Sequence, residues 1–231
     1  MKSAILALCL ALSGGALAQT KTAQVSALEG TATKARGNAA PTALKQGTGL
    51  AQGDVVETGA DSRMEIRFSD ASVLRIGSKA KLQLTEAHFG SGPAKRKMTA
   101  KLFFGNLWAK VTSVIQGEQK FQVETENAVA GVRGTTFRVD ANTDKSVLVR
   151  VFAGTVAVAK NVPIYATGKP GEERHEVQGP EEVTREQWEK LVGKQMQIFI
   201  AADGTPGDPQ PITGEDDAFA KWNQERDAAG K

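Results

Sequence analysis

The chain has 231 residues, 29 basic and 26 acidic side chains and a formal net charge of +3. A balance this close to neutral argues against nucleic acid or an anionic membrane surface as the partner. A single cysteine excludes a disulfide framework, and 24 glycines with only 6% aromatic residues favour short strands joined by tight turns.

Lys2 forms a short positive start, Ala4 to Leu12 a compact apolar run, and Ala16-Leu17-Ala18 a small-x-small cleavage site. This pattern predicts a secretory signal peptide over residues 1–18, cleaved after Ala18, and a periplasmic product. About nine apolar residues cannot span the ~30 Å of a bilayer core. Cys9 lies inside this run behind Leu8 and is not read as a lipid attachment point. The mature chain has no later stretch of 18 apolar residues, so no transmembrane segment is expected.

Residues 19–160 are predicted to form an all-β domain. From Gln24 onward apolar residues recur with period two, as in half-buried strands. Met64, Ile66 and Phe68 alternate with Arg63, Glu65 and Arg67, and Val147, Val149 and Val151 repeat the pattern. Three phrases, around Gly30, Gly105 and Gly154, each place a glycine after an apolar run and then restart the alternation, which marks bends. The fold class expected is many short antiparallel strands in a curled sandwich or β-helix-like domain, followed by a C-terminal helical extension.

Residues 161–182 read as a Pro-, Gly- and charge-rich connector with weak strands at 162–165 and 175–177. An amphipathic helix is predicted over 183–200, with Thr184 and Gln187 as a capping box, Val183 and Trp188 as a staple, and Trp188, Leu191, Val192, Met196 and Phe199 as its apolar stripe. Residues 201–216 read as a flexible linker. Residues 217–231 read as a short helix or loose tail carrying Phe219 and Trp222.

The chemistry-bearing residues do not converge on a reaction. His88 and His175 stand apart without partners at metal-ligand spacing, and no nucleophile elbow, phosphate loop or dinucleotide fingerprint occurs. Asp54, Glu57, Asp61, Glu65, Asp70, Glu124 and Glu126 lie on alternating strands or turns, where acids ordinarily form the solvated face. No catalytic, metal or cofactor residue is assigned, and a non-enzyme is expected. Lys95, Arg96 and Lys97 sit at an apparent hairpin tip, as a basic patch for acidic glycans or as a charge-blunted edge. Trp108 is expected to pack in the core rather than stack on a sugar.

The stretch Gly131-Val132-Arg133-Gly134-Thr135-Thr136-Phe137 reads as a structural turn. Gly131 and Gly134 would permit a sharp bend or close approach, and Phe137 and Val139 would face the core with Thr136 and Arg138 turned away. Arg133 is either an internal clamp on bend carbonyls or a partner-binding group.

Together with the segment Gly53-Asp54-Val55-Val56-Glu57-Thr58-Gly59, this stretch resembles the FecR-type domain family, and the likeness extends over about residues 24–160. The resemblance implies a periplasmic all-β domain that binds a protein partner in the cell envelope; the alternative reading, a structural protein associated with cell-wall glycan, rests on the 95–97 loop and exposed aromatics. It supplies no catalytic residue. Two departures stand out. Asp70-Ala71 occupies a turn where the family usually has Asp-Gly, so that hairpin must avoid positive φ or accept strain. The best-known members are anti-sigma regulators with a cytosolic segment and a membrane helix, in place of which this sequence shows a cleavable signal.

Overall fold

The computed structural model describes residues 23–89, 96–112, 119–132, 134–161, 189–214 and 217–230. The predicted signal peptide, the expected strands at 162–165 and 175–177 and the predicted cap at 183–188 lie outside these residues.

The chain opens with β1 (Ala23–Glu29), β2 (Ala32–Arg36), β3 (Thr42–Ala43), β4 (Gly49–Leu50), β5 (Asp54–Thr58) and β6 (Arg63–Phe68). It continues through β7 (Val73–Ile76), β8 (Lys81–Phe89), β9 (Arg96–Lys110), β10 (Gln119–Glu124), β11 (Ala128–Val132) and β12 (Thr136–Ala141). Last come β13 (Val147–Ala153), β14 (Val156–Lys160), β15 (Glu189–Val192), β16 (Met196–Ile200), β17 (Gln210–Pro211) and the helix α1 (Ala218–Ala229).

These strands form two layers. Sheet A runs β4-β1-β6-β7-β9-β12-β13-β16-β17, and sheet B runs β3-β2-β5-β8-β9-β10-β11-β14-β15. β9 belongs to both, pairing with β8 and β10 before Gly105 and with β7 and β12 from Gly105 onward. The pairing is antiparallel except between β9 and β10, which run parallel. Inner-face side chains of both layers, among them Ile66, Leu107, Phe137 and Val149 from one and Val56, Leu82, Leu102 and Val158 from the other, form one buried cluster. The curled all-β arrangement expected from the alternation is therefore present, with one parallel pair added.

The three glycine phrases are the corners where the chain passes from layer to layer: β1 to β2 at Gly30, within β9 at Gly105, and β13 to β14 at Gly154. All three glycines have positive φ, at 78°, 100° and 81°. Gly154 shows why no other residue suits. An added Cβ would lie 2.7 Å from Thr135 Cγ2 and 2.9 Å from the Gly134 carbonyl oxygen, inside contact distance in a backbone region L side chains disfavour. The Gly154 corner thus packs on the Gly134–Thr135 turn, while Gly30 lies against Ser62 and Gly105 against Ala80.

Residues 189–200 correct the helix predicted over 183–200. Their described part is two strands, β15 and β16, hydrogen-bonded to β14 and β13. Val192, Ile198 and Ile200 are buried, whereas Leu191 and Phe199, two members of the predicted stripe, are 67% and 46% exposed. Two short period-two runs separated by a corner at 193–195 mimic helical spacing, and the open edges of β13 and β14 decide the outcome by supplying hydrogen-bond partners. Residues 201–214 are likewise not a free linker, because β17 pairs with β16 and Ile200 bridges to Pro206. Asp217, with extended backbone, caps α1 by accepting a 2.7 Å hydrogen bond from the Ala220 amide. The final segment is the helix expected there, and it is docked on sheet A.

Candidate interaction surfaces

The two sequence motifs turn out to be corner devices. Gly131 lies within β11, and a Cβ there would meet only the Ala157 carbonyl oxygen at 3.9 Å, so it is not the sterically required glycine of its pair. Gly134 is, with φ of 63°. Val132 and Thr135 are buried at the corner, Thr135 accepts a 2.9 Å hydrogen bond from the Val111 amide, and Phe137 is fully buried. Thr136 and Arg138 point away from Phe137 and Val139, as the alternation requires. Arg133 lies outside the described residues.

In the second motif Asp54 is buried. It accepts from the Ala51 amide at 2.9 Å and from Arg36 Nε at 2.8 Å. The Thr58 hydroxyl donates to the Gly77 carbonyl at 2.6 Å and accepts from the Ala80 amide at 2.9 Å. These polar residues close turns, so their side chains are committed to the fold.

The basic loop is only partly described. Lys95 lies outside the described residues, Arg96 opens β9, and Lys97 is exposed in register with His88. Among the described residues no group of three or more His, Cys, Asp or Glu side chains is placed to hold a metal ion.

Two surfaces that sequence reasoning did not single out have stronger geometry. The first is a cleft of about 400 Å³ at the end of sheet B, between the corner of β9 and the turns at 125–127 and 142–146. Its floor is Phe103 and Phe104, 39% and 36% exposed. The ammonium groups of Lys101 and Lys81 lie 5.3 and 5.8 Å from the Phe103 ring centroid, within cation–π range. Lys145 and Glu126 pair at 2.7 Å on the rim. Lys81 also pairs with Glu57 at 2.6 Å, and the apolar floor beside Lys101 suits an apolar side chain that carries a carboxylate close by. The signal in the sequence is the doublet itself, since adjacent residues of a strand cannot both face inward.

The second surface is the outer face of sheet A. Glu65, Arg75, Trp108, Arg138, Arg150 and Gln197 are direct cross-strand neighbours across six strands. The acids and bases of this face were expected to be solvated. Instead Glu65, Arg75, Arg138 and Asp140 are buried, and α1 lies over the first three. Arg75 donates to Glu65 at 2.8 Å, to Asp227 at 2.8 Å and to the Asn223 carbonyl at 3.1 Å. Arg138 reaches Asp140 at 2.7 Å and Asp217 at 2.6 Å, and Arg150 also pairs with Asp140. Arg226 donates to Glu65 at 2.9 Å. Burial alone would raise the Glu65 carboxyl, but hydrogen bonds from Arg226, Ser26 and Arg75 outweigh it and hold the pKa at about 2. Trp108 is buried as expected, though on this outer face, stacked on Phe152 at 4.4 Å. Its indole N–H has no acceptor among the described residues. Trp222 of α1 donates to Glu29 at 2.7 Å beneath the Arg63 guanidinium, and Phe219 lies under Arg138.

No helix among the described residues is long and apolar enough to cross a membrane. No curated protein matches this sequence. Crystal structures of a candidate anti-sigma factor from Parabacteroides distasonis are similar to it with a TM-score of 0.47 and 16% identity, covering 74% of this chain and 64% of that one. Likeness at that level carries no argument about function. The match that does carry weight is to the family model described as FecR protein, over residues 54–157, which hold the 131–137 motif and all of the other except Gly53. Over those residues the chain is similar to the FecR family.

Proposed function

We propose that this protein is exported to the periplasm and acts there as a non-catalytic sensing module that binds an envelope protein through the Phe103–Phe104 cleft. The carrying observation is the pair of adjacent phenylalanines exposed beneath two lysine ammonium groups. Exposed aromatics grouped in a concave site supply the central anchor of protein interfaces. The pattern of residues 1–18 supports export. The non-catalytic reading is supported by the buried charges, since Asp54, Glu65, Arg75, Arg138 and Asp140 all pair with one another or with turn groups. Groups engaged in this way are not set up as a general acid, general base or nucleophile.

The test is affinity capture from periplasmic extract with the wild-type protein and with a Phe103→Ser, Phe104→Ser variant of unchanged melting temperature. A discrete protein retained by the wild type and lost by the variant supports the reading. Co-sedimentation with purified cell wall, with no protein captured, overturns it in favour of a glycan-associated structural role.

A further inference from the structure

The α1 helix covers a face that lies outside the inter-sheet core. None of its residues belongs to the buried cluster between the sheets, and only Ala220, Trp222 and Asn223 of the helix are buried. What the helix does cover is charged. Arg67, Arg75, Arg138 and Arg150 of sheet A face only Glu65 and Asp140 from the same sheet, so the row has an excess of guanidinium groups. The helix supplies the missing carboxylates from its two ends, Asp217 to Arg138 and Asp227 to Arg75. Between them Phe219 and Trp222 slot under Arg138 and Arg63, 5.5 and 5.3 Å from the guanidinium carbons. The indole N–H of Trp108, in the middle of the row, has no acceptor among the described residues.

We infer that this arginine row is a docking face for an acidic, aromatic-bearing helix of a partner protein, and that α1 is the built-in occupant that closes it. The surface is separate from the Phe103–Phe104 cleft and stands whether or not that cleft binds a protein. Two features make the occupant exchangeable. Side chains at both ends of the contact keep access to water, with Asp217 at 48%, Arg226 at 32% and Asp227 at 26% exposure, and ion pairs of that kind are individually weak. Guanidinium forks also recognise any carboxylate of suitable spacing, so a helix with acids about ten residues apart and aromatics between them competes for the same partners.

The probe is a fluorescent synthetic peptide of residues 215–231, titrated by anisotropy against the full-length protein and against full-length Asp217→Asn, Trp222→Ala, Asp227→Asn, which loosens the resident helix and leaves the sheet intact. The variant should bind the peptide at least about tenfold tighter than the wild type. Raising salt from low ionic strength to about 0.5 M should weaken binding severalfold. A peptide with Asp217 and Asp227 both replaced by asparagine should bind about tenfold less tightly. The inference is overturned if the variant melts cooperatively yet binds no better than the wild type, if the neutral peptide binds equally well, or if the variant dimerises instead of binding peptide. A second protein guards against a variant that misfolds: a protease site inserted after Gly214, cut only after folding. Loss of α1 from the nicked protein on gel filtration in high salt, with rebinding in low salt, supports the exchangeable occupant; retention of α1 under both conditions refutes it.

Discussion

Glu65→Gln is the substitution that tests most of the ionic row at once. Glu65 has no solvent exposure and accepts from Ser26, Arg75, Arg67 and Arg226. With its carboxyl held at about 2 against an ordinary value of 4.5, linkage assigns the ionised form about 3 kcal/mol of folding stability at neutral pH. Because the folded-state pKa is depressed, that contribution is present above pH ~4.5 and is lost as pH falls from there towards 2. Glutamine keeps the size and one acceptor but no charge, leaving the Arg75 guanidinium buried with only Asp227 as a charged partner. The expected cost is about 3 kcal/mol at pH 7, a drop in melting temperature of roughly 6–12 °C for a domain of this size. Urea unfolding at pH 7, 4.5 and 2.5 is the assay. The difference between wild type and variant should be large at pH 7 and shrink to less than about 1 kcal/mol at pH 2.5. A difference that stays constant across this range would refute the reasoning, since the cost would then be one of packing and not of charge.

Gly154→Ala places a Cβ against Thr135 and the Gly134 carbonyl at positive φ and should destabilise by about 2–4 kcal/mol in denaturant titration. Gly131→Ala, in the neighbouring strand with only an ordinary contact at its Cβ, should change stability by less than about 1 kcal/mol, so the two substitutions should differ sharply. Ala71→Gly should stabilise by about 0.5–1 kcal/mol, because Ala71 occupies φ of 67° and glycine relieves that strain. Trp222→Ala should lower the melting temperature and leave far-UV circular dichroism of the strands unchanged, since its side chain contributes to the docking of α1 and not to the inter-sheet core.

Period-two alternation was sufficient to place the inner faces of most strands, because a residue such as Ile66 or Val149 has one neighbour environment, the core, and its sequence pattern reports it directly. The corners were legible for a similar reason: only glycine fits the backbone at residues 30, 105 and 154, so composition exposes geometry. The Ala71 alternative was also readable, and the chain accepts the strained conformation. What sequence could not show is which outward-facing residues are covered. Glu65 and Arg67 occupy equivalent outward positions two residues apart, yet Glu65 is buried and Arg67 keeps 47% of its side chain in water. That distinction depends on α1, more than 150 residues away in the chain. The misread helix over 183–200 has the same origin, since pairing with β13 and β14 is a long-range event that local periodicity does not record.

An apolar seam would have held α1 at least as well as this ionic one. Replacing buried ion pairs by hydrophobic groups of similar volume is commonly neutral or stabilising, and sheet A already uses that solution on its inner face, with Ile66, Leu74, Leu107, Phe137 and Val149. On its outer face the same strands present Glu65, Arg75, Arg138 and Arg150, and α1 meets them with Asp217, Arg226 and Asp227. The two faces of one sheet therefore follow different physics. The inner contact is insensitive to salt and to competing ligands. The outer contact weakens with ionic strength and, through Glu65, at acid pH, and it can be displaced by other carboxylates. A permanent structural cover has no need of that sensitivity, whereas a cover that yields to a partner depends on it.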